Sequence, residues 1–504
     1  MINLMNLNME IAFFFSLIIS LLSSLLFLHP RVPIGFVRIH IMICAIPPII
    51  ALLNIVISNG GDFGPWYLDS LAWLMTLFVL TIGFIIQRYS VRYLLGDRAY
   101  RKYFSLFTLT TGAAAVSWLS NDVRLLVLCW GVTLFGLTLL IRVNKKWQLT
   151  KIASDRSGRL FAISWIALLV AVLWLSQITG QWQLSHALSN SNLDKVNSWE
   201  GTGIILLLVL SVMIPAAQWP FHRWLIESMV APTPVSAVMH AGLVNAGGIL
   251  LTRFAPLFDG GIAQILLLIL ASISVLLGTG MILVQVDYKR QLVASTISQM
   301  GFMLIQCALG AYLAAIIHLI MHGLFKGALF LQAGSAVPHA SSPKGITRWS
   351  FTSSIMGILV GLVFWLYAPG DGYQLISALI LGTSFSLSWT HLVAFGDGWI
   401  GRMTGFILLG AMLMVYITVH SFFYELMYET ISYGIQPPLI VVVPIICLLL
   451  FTCLLVAWIA RNRSSVTFMI IYLWLIKLGE PKPDLVESHP TYLAQLLSQG
   501  GNKG

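Results

Sequence analysis

Long apolar runs broken by short polar stretches dominate this chain from about residue 10 onward. Runs long enough to cross a hydrocarbon core of roughly 30 Å occur at 10–28, 34–57, 68–87, 103–119, 123–141, 160–178, 202–220, 233–251, 262–285, 291–310, 312–335, 351–368, 374–395, 403–424 and 437–460. The pattern predicts fifteen helices and an all-α polytopic membrane protein. A further run, 466–476, is about half the required length and is expected at the membrane interface or against a partner. Residues 1–24 show no basic region ahead of the apolar core and no small-residue cleavage site, which predicts a first span rather than a signal peptide.

The polar stretches sort by sign. Loops after odd-numbered spans carry Arg31, Arg88, Arg92, Arg98, Arg101, Lys102, Arg142, Lys145, Lys146, Lys151, Arg156, Arg159, Arg223, Lys289, Arg290, Lys344, Arg348, Arg402, Arg461 and Arg463. Loops after even-numbered spans carry only Lys195 and Arg253, with Asp62, Asp194, Glu200, Asp259, Asp371 and Glu429. Cytoplasmic loops are the ones enriched in Lys and Arg, so the N-terminus is expected outside and the polar tail, 481–504, in the cytoplasm.

Composition agrees: 58% of the 504 residues are hydrophobic and 9% are charged, against about 25% charged in soluble domains. The net charge of +10 is spread over short loops, as membrane orientation requires. It forms no patch for nucleic acid. The five cysteines (Cys44, Cys129, Cys307, Cys447, Cys453) fall mostly in apolar spans without ligand spacing and read as small buried hydrophobes. No phosphate-binding loop, zinc-protease motif or dinucleotide fingerprint occurs. The chain is therefore expected to bind no cofactor or metal and to transport rather than catalyse.

The chemistry-bearing residues lie inside the apolar runs. In 316–334, IIHLIMHGLFKGALFLQAG, His318, His322 and Lys326 recur every fourth position, which places them on one helix face. A charge at the centre of a membrane helix costs roughly 2.5–3.5 kcal/mol, so such a row implies function. Histidine both donates and accepts, which suits a stepping path for a cation. A second stretch, 213–248, holds Pro215, Gln218 and Pro220, which break a helix at mid-depth. A short amphipathic link with His222, Arg223 and Glu227 follows, and then a helix opened by APTPV that carries His240. Broken membrane helices occur where the freed backbone lines a cavity or is buried in protein.

This passage closely resembles the signature of the antiporter-like membrane subunits shared by respiratory complex I and the Mrp cation/proton antiporters. The matches are Gln218, Pro220, Trp224, Leu225, the APTPVSA run, His240 and Ala241, with Asp69-Ser70-Leu71 upstream. Downstream, Asp287 to Arg290, Ser295-Thr296, Ser298 to Gly301 and HLIMHGLFKGALFLQAGS also match, so the resemblance covers roughly residues 60–340. Within that superfamily, HAGLVNAGG and FHRWLIESM are similar to the membrane subunit of DAB-type inorganic carbon transporters.

The resemblance implies two inverted five-helix repeats at 103–251 and 262–395. Peripheral helices at 1–102, further helices at 396–460 and a partner-docking cytoplasmic tail at 461–504 complete the chain. It implies an ion path through His240, Lys326, His322, His318 and His391, the last in SLSWTHLVAFGDG, with Asp397 at the cytoplasmic mouth. Glu227, Arg223 and Asp69 are candidates for charge coupling. The implied partner is a large cytoplasmic, zinc-containing, carbonic-anhydrase-like subunit (DabA type), and the implied location is a bacterial cell membrane. Two departures stand out. Complex I subunits carry a glutamate after the tryptophan of the fifth span, where this chain has Gly131 after Trp130. They carry a lysine near the break of the seventh, where it has Pro215. Asp122 and Arg124 at the fifth span's start lie near the outer edge.

The expected function is an ion-conducting subunit, for H+ or Na+, of an energy-coupled CO2 or bicarbonate uptake complex. The alternatives are a subunit of a complex I-like or Mrp-type antiporter, and a non-transporting membrane anchor.

Overall fold

The computed structural model describes residues 2–57, 60–144, 147–333, 351–367, 398–428 and 465–480, with isolated positions at 378–389 and 430–444. Among the described residues, nineteen α-helices follow in chain order. The first seven are α1 (Ile2–Leu28), α2 (Val37–Cys44), α3 (Ile46–Ile57), α4 (Ser70–Tyr93), α5 (Tyr100–Leu119), α6 (Val123–Ile141) and α7 (Gln148–Thr179). The short α8 (Leu184–Ala187) and α9 (Asn190–Leu193) lead to α10 (Ser198–Met213), α11 (Arg223–Glu227), α12 (Thr233–Ala241) and α13 (Ala246–Arg253). The remainder are α14 (Ile262–Val284), α15 (Tyr288–Ala308), α16 (Tyr312–Ala333), α17 (Phe351–Tyr367), α18 (Gly398–Met427) and α19 (Val466–Gly479).

Among the described residues, nine helical segments are long and apolar enough to cross a membrane. Four more of the fifteen expected spans form helices that are shorter or more polar than that: α5, α10, α15 and α17. The runs at 374–395 and 437–460 lie largely outside the described residues. Three expected spans differ in form. The 34–57 run bends at Ala45 into α2 and α3, and Pro47 and Pro48 sit in the opening turn of α3, where a missing N–H is tolerated. The 233–251 run is interrupted by a 3-10 turn, Leu243–Asn245. The 160–178 run is the apolar part of the 32-residue α7, so Lys151, Arg156 and Arg159 stand on its first turns and not in a loop. That extension is anchored by Arg156, which reaches Glu227 at 2.6 Å.

Polar contacts gather at the two ends of the bundle. At one end a hairpin, Asp62–Phe63 with Trp66–Tyr67, meets the loops before α6 and α8. There Asn121 donates to Asp62 at 2.8 Å. At the other end Arg101 donates to the carbonyls of Phe27, His29 and Val32, and Tyr93 reaches Thr233. This grouping is the one that alternating helix directions require. Between the ends one continuous apolar core joins α4–α7 to α10–α16. The short α19 packs against the end of α14, with Leu475 lying where a side chain at Gly280 would stand.

Candidate functional site

Helix α16 packs against α12, α13, α15 and α4. Its buried face carries His322 and Lys326 at 6% and 2% exposure. His318 is half-buried on the same row, 6.2 Å from His322 between ring centroids and 5.9 Å from the Phe302 ring. Facing them, His240 on α12 is 1% exposed and stacks on Phe330 at 4.2 Å. The structure thus brings together four of the five residues expected on the path. His391 and Asp397 lie outside the described residues.

Each of the buried groups is tied into its neighbours. The Lys326 ammonium donates to the Leu292 carbonyl at 3.1 Å and to the Ser295 hydroxyl. Thr296, one turn along α15 from Leu292, hydrogen-bonds His240 Nδ1 at 3.1 Å and donates to that same Leu292 carbonyl at 2.9 Å. One turn of α15 therefore links Lys326 to His240. His322 Nδ1 lies 3.2 Å from the Asn245 amide oxygen. The outer nitrogens, His240 Nε2 and His322 Nε2, are buried without a hydrogen-bond partner among the described residues. Buried polar atoms are nearly always bonded, which sets these two nitrogens apart from the other polar atoms of the cluster.

Two helix breaks surround this cluster. At the first, α10 ends at Met213, and residues 214–222 run irregularly with a cis Trp219–Pro220 bond. Its freed groups are satisfied within protein. Trp224 donates to the Ile214 carbonyl at 2.7 Å, Gln218 to the Ala216 carbonyl at 2.7 Å, and the Trp219 N–H to Ser274 at 2.9 Å. The second break, at Gly242, adjoins a small cavity of about 30 Å³ whose lining includes Asn245, Trp130, Trp118, Thr111, Thr133 and Leu319. The cavity therefore belongs to the α12–α13 break; at the first break Gln218 donates to the Ile297 carbonyl of α15 at 3.3 Å, Pro215 is buried and Pro220 is exposed.

Glu227 is 3% exposed and pairs with Arg156 of α7, whereas Arg223 points outward. Both Glu227 and Arg223 are candidates for charge coupling by sequence; helix α7 starts ahead of its apolar run, and this brings Arg156 within range of Glu227. Asp69 caps α4 by accepting from Ala72 N at 2.7 Å, and it also takes both ends of the Arg253 guanidinium, at 2.5 and 2.7 Å. Burial pushes the nearby Tyr67 phenol up, and the Asp69 charge adds to this. Asp122 is engaged by Arg124 at 2.6 Å, and that hydrogen bonding holds its carboxyl below the usual range. Gly131 packs under Trp165: a Cβ there would lie 2.5 Å from the indole nitrogen, which donates to the Val127 carbonyl at 2.9 Å.

Sequence reasoning missed Asn245 and a fully buried His40, which joins Ser23 at 2.7 Å with Gln87 and Thr108 each at 3.1 Å. The signal for Asn245 was an amide in an otherwise small and apolar run. For His40 it was a histidine inside a span.

The sequence pattern described as "NADH:quinone oxidoreductase/Mrp antiporter, TM" matches residues 120–401, and that of "NADH-Ubiquinone oxidoreductase (complex I), chain 5 N-terminus" matches residues 65–104. A protein of Bacillus subtilis (strain 168) named "Probable inorganic carbon transporter subunit DabB" is 63% identical over 492 residues, covering 96% of this chain and 97% of the relative. One of the same name from Bacillus anthracis is 57% identical over 496 residues, with 97% of each covered. The fold is similar to a chain of the Mrp complex from Dietzia sp. DQ12-45-1b, with a TM-score of 0.64 and 22% identity, over 96% of this chain and 62% of that one.

Proposed function

This chain belongs to the NADH:quinone oxidoreductase/Mrp antiporter family, in its branch of inorganic carbon transporter subunits named DabB, and on that premise we propose that it is the ion-conducting subunit of a bacterial complex that takes up CO2 or bicarbonate. The observation that carries the reading is the row of buried Lys326 and His322 and half-buried His318 facing the buried His240. Ionisable groups at this depth are costly unless they serve a path. Imidazoles and an amine, rather than carboxylates, favour H+ over Na+ as the ion.

In this reading the inward path joins His240, Lys326, His322 and His318 with His391 and Asp397. The N-terminus is outside and the tail is in the cytoplasm. A large zinc-containing, carbonic-anhydrase-like subunit is the partner, and the inward ion flow drives its capture of inorganic carbon. Trp165 lying across Gly131 supports a simpler path than that of complex I subunits, because a glutamate side chain at this position has no room.

The test is uptake of labelled inorganic carbon by cells making the protein with His318, His322 and Lys326 replaced together by Leu or Ala. Uptake is expected to fall to background at unchanged expression. Uptake equal to the parent's overturns the path and favours a membrane anchor.

A further inference from the structure

The break at Gly242 does more than interrupt a helix. Past it, the Asn245 N–H bonds to the Gly242 carbonyl at 3.2 Å, in a tighter 3-10 turn, and no longer reaches the carbonyl of Ala241. The Asn245 side chain takes up that carbonyl instead, with Nδ2 donating to it at 2.7 Å. This contact sets which way the amide faces. Turning it over would press its oxygen against the Ala241 oxygen, two acceptors at hydrogen-bond distance with no proton between them. The amide oxygen is thereby presented to His322 Nδ1, 3.2 Å away. An amide oxygen only accepts, so Nδ1 must carry the hydrogen. A neutral imidazole has one N–H, which leaves Nε2 with an open lone pair. Nε2 is the buried nitrogen that has no partner among the described residues.

The neighbouring helix is shaped for this contact. A Cβ on Gly323 would sit 2.6 Å from the Ala241 oxygen and 3.1 Å from Asn245 Nδ2. Only glycine lets α16 approach closely enough for His322 to reach the amide.

We propose that Asn245 is a positioning residue of the ion path: it holds His322 as the Nδ1–H tautomer, so that Nε2 is the atom that receives the travelling proton. The inference rests on the ion-path reading above. The charged and titratable groups around His322 are His318 and Lys326 on its own helix and His240 on α12. The neutral amide therefore sets the tautomer without trapping the charge, as a carboxylate in its place would.

The tautomer is read directly by solid-state NMR of the full chain in lipid with ¹⁵N-labelled histidine, the His322 signals being identified by their loss in His322→Gln. A protonated Nδ1 and a bare Nε2 at neutral pH are expected; an Nε2–H form, or an even mixture, overturns the proposal. In Asn245→Leu the two tautomers are expected to mix, and proton flux into liposomes to fall about tenfold or more, the order of loss when the partner that orients a metal-bound histidine is removed. Mixed tautomers with parental flux overturn the positioning role. Asn245→Asp guards against misfolding. As the neutral acid it keeps both contacts, its O–H donating to the Ala241 carbonyl and its other oxygen accepting from Nδ1–H, so Nδ1–H is expected to be retained; mixed tautomers in this variant overturn the proposal. The NMR result settles the tautomer whether or not the protein conducts, and the triple replacement in α16 separately settles the path.

Discussion

Asp69 and Arg253 stand 184 positions apart in sequence and meet as a two-pronged ion pair, with side-chain exposures of 8% and 11%. Breaking such a pair leaves one buried charge uncompensated, which costs about 3–5 kcal/mol. Asp69→Asn keeps an oxygen to cap α4 and is expected to lower stability by that order in detergent unfolding. Adding Arg253→Leu is expected to recover most of the charge-related part. If the single and double variants are equally unstable, an uncompensated Arg253 charge is not the source of the loss. Asp122 and Arg124 meet only two positions apart at the mouth of α6. They engage each other at the membrane edge and leave the interior near Gly131 to Trp165. The residues on the path were legible because their polarity contradicts their apolar surroundings. Asn245 was not, because its importance depends on which carbonyl its amide meets.

At the scale of elements, the proposed path runs where α16 packs on the broken pair α12–α13. Gly323 and Gly327 form a GxxxG face that allows close helix approach: Gly323 faces the Ala241 carbonyl and the Phe78 ring, and Gly327 the Ala241 methyl at 3.5 Å. Gly323→Val is expected to push α16 from α12, cost about 1–3 kcal/mol as overpacking does, and abolish uptake while Lys326 and both histidines remain. Uptake at the parental level would mean that this close packing is dispensable. The periodicity of apolar runs located α6 and α16 well, since burial and bilayer length act on every turn of a straight helix. It misjudged α7, whose first turns continue the helix in polar residues and are held by the Arg156–Glu227 pair. It also passed over the Gly242 break, because a 3-10 turn leaves the apolar pattern unchanged.

For the whole molecule, the proposed partner is open to direct test. Gentle detergent purification from the native host, with mass spectrometry and zinc analysis, is expected to recover one large zinc-containing cytoplasmic subunit. Recovery of quinone-oxidoreductase or Mrp subunits would redirect the assignment to a pump. The sequence by itself determined the membrane class, the row at 318, 322 and 326, and the family, because hydropathy and helical spacing are local properties written along the chain. Only the tertiary structure decided that His240 faces that row across Thr296 and Leu292, that Glu227 answers Arg156, that Asp69 answers Arg253, and that Asn245 holds His322. These are contacts between helices distant in sequence. Their geometry follows from where a glycine permits close approach and where a broken helix frees a carbonyl, and no one-dimensional pattern records either.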